Sequence, residues 1–203
     1  MRVRNSSGFT VLEMSIVFSI IAILVAISLV VLWPAFEGDH TTQAYDTTVE
    51  VFRKYKNQAV AQSRRYIIVP TAPGTLTVQY WGGGTPAPAP VTVYTYTIPN
   101  DIKYQVQAGF PTAATAVPDG LGTGAAAIQF NACAVLAGGN PCVIFYPDGS
   151  AKDDVGNFNN GVIYINTSAY FYGSRAITVE GATGRIRGWR LVNSSGTPTW
   201  AQQ

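Results

Sequence analysis

The feature that most constrains this chain is an uninterrupted apolar run near its start. Met14 to Trp33 contains no charged residue. Twenty such residues, at about 1.5 Å each, reach the roughly 30 Å of a bilayer's hydrocarbon core. Arg2 and Arg4 precede the run, and Glu13 stands directly before it with no basic neighbour. A carboxylate at the centre of a spanning helix costs on the order of 2.5–3.5 kcal/mol, and less towards an interface. Glu13 therefore calls for a counter-charge. A cleavable secretory signal fits poorly, because its apolar core is about 7–15 residues and a small-x-small site follows. Trp33-Pro34-Ala35-Phe36 is no such site. A plain anchor with its positive end inside accommodates Arg2 and Arg4 but leaves Glu13 unexplained.

After the run, Pro34 should limit or kink the helix, since it lacks an amide donor and its ring clashes with the preceding turn. Glu37-Gly38-Asp39-His40 reads as a break or restart, with Asp39 or Thr41 as N-cap. An amphipathic helix is expected from Thr42 to Arg65. Ala44, Val51, Phe52, Tyr55, Ala59 and Val60 form its apolar face, with Arg53, Lys54, Lys56 and Arg64 outside. From Tyr66 the pattern turns to strands: 66–69, 76–81, 91–98, 103–106, 127–131, 142–146, 161–166, 176–180 and 185–192, the last being the final strand. Residues 85–90 and 109–124 read as loops, and Asp148-Gly149 as a hairpin turn. Only 12% of the 203 residues are charged, which suits a β-rich domain outside the cytoplasm.

Cys133 and Cys142 are the only cysteines. In an oxidising compartment an isolated pair at this spacing forms a disulfide; in a reducing one both remain thiols. His40 is the only histidine, so a zinc site lacks ligands. Asp153-Asp154, Ser194-Ser195 and Ser6-Ser7 have no base motif beside them. No cofactor and no enzymatic activity are expected.

The N-terminus resembles the class III signal of type IV prepilins and type II secretion pseudopilins: a short basic leader ending in Gly8, then Phe9, Thr10, Leu12, Glu13 and the apolar run. The resemblance implies cleavage between Gly8 and Phe9 by a prepilin peptidase and methylation of the new Phe9 amine. It also supplies the missing counter-charge, since that amine pairs with Glu13 during filament assembly. Loss of Arg2 and Arg4 with the leader takes the 13 basic residues to 11, against 11 acidic ones, so net charge points to no polyanion partner.

Two later stretches are similar to the GspH/FimT-type minor pseudopilins: residues 143–151, where an apolar strand enters Pro147-Asp148-Gly149-Ser150, and residues 176–187, which close on Gly184-Arg185-Ile186-Arg187. The implied fold is α+β, a long membrane helix packed on an antiparallel β domain. The implied segments are a leader 1–8, a membrane or filament-core helix 9–33, its continuation 34–65, and an extracytoplasmic domain 66–203. The implied protein is a single-pass inner-membrane subunit of a type II secretion pseudopilus or type IV pilus. Its implied partners are other pilin subunits, the peptidase, the inner-membrane assembly platform and the membrane. In FimT-type pilins the Gly-Arg-x-Arg motif is associated with DNA uptake, which points to Arg185, Arg187 and Arg190. Along a strand Arg185 and Arg187 share a face, about 6.6–7 Å apart, and Arg190 faces the other way. The alternative is that these arginines serve structure or subunit contacts.

Overall fold

The computed structural model describes residues 10–82, 89–111, 113–122, 126–167 and 170–203, with backbone alone for 30–39. Two compact units result, Met1–Phe36 and Glu37–Gln203. Helix α1 runs from Val11 to Gln62. The helix is not ended at Pro34 and does not restart near Asp39; the backbone is helical through both. Proline removes one amide donor, and residues before and after it still supply the helical ladder.

Among the described residues, thirteen strands follow. The first five are β1 (Arg65–Thr71), β2 (Thr75–Trp81), β3 (Val91–Thr97), β4 (Lys103–Tyr104) and β5 (Ile128–Gln129). Next come β6 (Ala132–Cys133), β7 (Asn140–Pro141), β8 (Val143–Phe145) and β9 (Ala151–Lys152). The last are β10 (Gly161–Asn166), β11 (Arg175–Glu180), β12 (Arg185–Ser194) and β13 (Thr197–Gln202). One sheet has the order β3-β2-β1-β8-β9, a second the order β13-β12-β11-β10-β4 with β5 also on β10, and β6-β7 form a small pair. All pairings are antiparallel, which with the helix makes the fold α+β.

Within the second unit, one face of α1 is buried: Thr41, Ala44, Thr48, Val51, Phe52, Tyr55 and Ala59 recur at helical spacing. They pack with Ile68, Leu76, Val78 and Phe145 of the first sheet and Ile163, Ile165, Ile177 and Val179 of the second. Val60 was expected on that face and is 49% exposed. One residue on from Ala59, it is rotated about 100° away. Thr48 is polar yet buried, because its hydroxyl donates to the Ala44 carbonyl at 2.8 Å and lies 3.2 Å from the Tyr104 hydroxyl.

Strand β1 continues through Pro70 instead of ending at Val69. Pairing with β8 stops at Ile68, so residue 70 has a strand on one side only and the missing amide is tolerated. Strand β12 is not the last. Ser195 and Gly196 have φ of 52° and 87°, the left-handed pair of a two-residue hairpin turn, and β13 folds back with Ser194 opposite Thr197.

Candidate functional site

The helix begins with a capping box. Thr10 precedes the first helical residue, and its amide and hydroxyl donate to Glu13 Oε2 at 2.9 and 3.0 Å. The Glu13 amide donates back to Thr10 Oγ1 at 3.3 Å. The carboxylate is thus folded back over the first turn, beside orphan amides that favour negative charge. Gly8 and Phe9 lie outside the described residues. The stretch that holds Glu13, Val11–Leu29, is long and apolar enough to cross a membrane, with a mean hydropathy of 2.5. Ser15, Ser19 and Ser28 do not interrupt this, because each hydroxyl donates to the carbonyl four residues back.

The arginines of the C-terminal motif are engaged by acids. Arg185 Nη2 lies 3.3 Å from Glu180 Oε2, directly across the β11–β12 register. Arg187 pairs with Asp119 at 2.5 Å. Asp119 also accepts from the Thr178 hydroxyl at 2.7 Å, and that oxygen accepts from Trp189 Nε1 at 3.1 Å. Asp119 sits at φ 54° in the 3₁₀ turn Pro118–Gly120, which pins the loop 109–122 onto β11 and β12. Residue pattern alone does not single out Asp119; the Val-Pro-Asp-Gly turn is the one signal of it in the sequence. Arg190 pairs in register with Arg175 and belongs to the opposite face of β12. Arg175 is buried, donating to the Gly173 carbonyl at 2.9 Å. Burial and the Arg190 charge lower its pKa.

The motif's glycine has a packing role. A Cβ on Gly184 would collide with the Gly149 carbonyl oxygen. Thus the Pro-Asp-Gly-Ser turn after β8 and the turn between β11 and β12 rest directly on each other. Asp148 closes its own turn by accepting from the Ser150 amide at 2.9 Å. Lys56 of α1 donates to the Thr183 carbonyl at 3.0 Å. Arg53, Lys56 and Arg185 line one open cleft of about 500 Å³. The basic helix face and the C-terminal motif, far apart in sequence, meet there.

Cys133 and Cys142 form a disulfide with Cα atoms 5.7 Å apart, beneath Ile67, Val69 and Ile144. Beside it, buried Asp153 accepts from Asn131 Nδ2 at 2.9 Å and from the Val155 and Asn157 amides at 3.1 and 2.8 Å. Burial works against its charge, yet these bonds outweigh burial and hold its pKa below the usual carboxylate range. Among the described residues no three His, Cys, Asp or Glu side chains group to hold a metal. His40 Nδ1 lies 2.7 Å from Asp101 Oδ2.

No curated protein and no solved structure is detectably similar to the chain. A family model described as the prokaryotic N-terminal methylation motif matches residues 3–29. Set on an apolar helix ahead of an antiparallel β unit, that motif supports a type IV pilin-like or pseudopilin class, a precursor for the prepilin peptidase with a membrane-anchoring helix.

Proposed function

We propose that the chain is a minor structural subunit of a type II secretion pseudopilus or type IV pilus, closest to the GspH/FimT type. The observation that carries this is Glu13, an acid held at the head of an apolar helix inside the methylation motif. Cleavage between Gly8 and Phe9 creates an amine at the residue next to Thr10, whose amide Glu13 already holds. In the membrane, Thr10 satisfies the carboxylate. During assembly a methylated Phe9 amine takes over as its partner, offsetting the charge as the helix leaves lipid. Contacts between apolar helices then replace contacts with lipid tails. The β unit stays on the far side of the inner membrane, where the disulfide is stable.

The test is the mass of the mature N-terminus, together with Glu13→Val. The protein from cells should begin at methylated Phe9. Glu13→Val should insert normally and enter filaments poorly. A chain that keeps Met1, or a valine variant assembled at the wild-type level, would sink the proposal. DNA contact through Arg185, Arg187 and Arg190 is the weaker reading, because the first two are already ion-paired and the third faces away.

A further inference from the structure

The end of α1 carries a different basic feature. The helix closes with a Schellman turn: the Arg64 amide donates to the Ala59 carbonyl at 3.1 Å and the Ser63 amide to Val60 at 3.4 Å, with Ser63 at φ 51°. That turn delivers Arg64 and Arg65 to the end of the first sheet. The Arg64 guanidinium lies 5.1 Å from the Tyr80 ring. The Arg65 guanidinium lies 4.7 Å from the Trp81 ring and 4.8 Å from the Tyr146 ring. Register places Trp81 opposite Arg65, and Tyr66 opposite Phe145, so Trp81, Arg65 and Tyr146 form a row across the ends of three neighbouring strands. Lys152 Nζ stands 4.8 Å from the Tyr146 ring. An open depression of about 250 Å³ is lined by Arg64, Arg65, Trp81 and Tyr146. Among the described residues, the only acid in ion-pair range of these three cations is Asp148, 3.6 Å from Lys152. Among those residues neither arginine has an ion-pair partner, unlike Arg185 and Arg187.

We propose that this row is a binding surface for single-stranded nucleic acid. Flat rings alternating with planar cations suit a ligand that is both flat and anionic. Unpaired bases stack on aromatic rings and on guanidinium planes, while phosphates take the charge. Strands about 4.8 Å apart make the row roughly 10 Å long, room for about three bases at ~3.4 Å each. A duplex hides its base faces and an acidic polysaccharide has none, so either would use the charge and leave the rings idle. The surface shares no residue with Arg185, Arg187 or Arg190, and it does not depend on the filament reading.

The test uses the full-length protein in detergent with a fluorescein-labelled 20-nucleotide oligo-dT, read by anisotropy and tryptophan fluorescence. Binding is expected at low salt and should weaken about tenfold in Trp81→Ala. Arg64→Ala/Arg65→Ala should weaken it by at least tenfold. Arg64→Lys/Arg65→Lys keeps the charge and loses the planes, and should weaken it several-fold with the thermal midpoint unchanged. Trp81→Phe should abolish the nucleotide-dependent quench, and Arg185→Ala/Arg187→Ala should bind as wild type. The proposal is overturned if oligo-dT does not bind, if the lysine pair binds as wild type, or if duplex DNA or heparin competes as well as oligo-dT does.

Discussion

At Gly184 a side chain would have nowhere to go. The residue has φ of 58°, and a Cβ would meet the Gly149 backbone oxygen, which cannot swing aside as a side chain could. Left-handed strain and overpacking add, so Gly184→Ala should destabilise by roughly 2–4 kcal/mol, read from urea unfolding. Asp153 makes a pH-dependent contribution. Its folded pKa lies below the unfolded value of about 3.9, so the stabilisation is present above that pH and lost as pH falls through the lowered native value. Asp153→Asn should therefore lose about 1–3 kcal/mol at pH 7 and show a shallower decline towards pH 3. Equal acid slopes for the variant and the parent would remove this role. Glu13 was conspicuous in the sequence because it breaks the apolar pattern. Thr10 as its immediate partner was not, although Thr-x-x-Glu before an apolar run is the spacing of a capping box.

At the scale of elements, local pattern located most strands to within a few residues, since alternation and Gly/Pro punctuation are local signals. It failed where a partner decides. Strand β13 contains Pro198 and little alternation, and it exists because the Ser195-Gly196 turn returns it to β12. The two-residue strands β6 and β7 carry no periodicity; pairing and the disulfide that closes their hairpin define them. That closure spans nine positions, and the chain-entropy model assigns a loop of this length about 2.6 kcal/mol. Reduction should lower the urea midpoint accordingly, and an unchanged midpoint would show that β6 and β7 contribute nothing to cooperativity. Helix α1 is continuous through Pro34 where the residue pattern suggested a limit or a kink, because one lost donor does not end a helix supported on both sides.

At the scale of the molecule, every buried cluster among the described residues is built from residues 44–191, inside the second unit. Among the described residues, the apolar side chains of Val11 to Leu29 are exposed. A fragment starting at Glu37 should accordingly stay soluble without detergent and unfold in one cooperative transition, followed by circular dichroism. Aggregation of the oxidised fragment would show that the β unit needs the N-terminal helix to fold.

The membrane-competent helix, the acid at its head and the α+β class were legible in the residue order, because each rests on spacing within a short window. Which charges remain available was settled by packing between remote segments. Arg185 and Arg187 look like a free cationic pair until β11 and the 3₁₀ turn bring Glu180 and Asp119 against them. Arg64 and Arg65 look like ordinary helix-end residues until three strands line up Trp81 and Tyr146 beside them. Charge is written in the chain, but its neutralisation depends on distance, and distance between remote residues is set only when the sheets assemble.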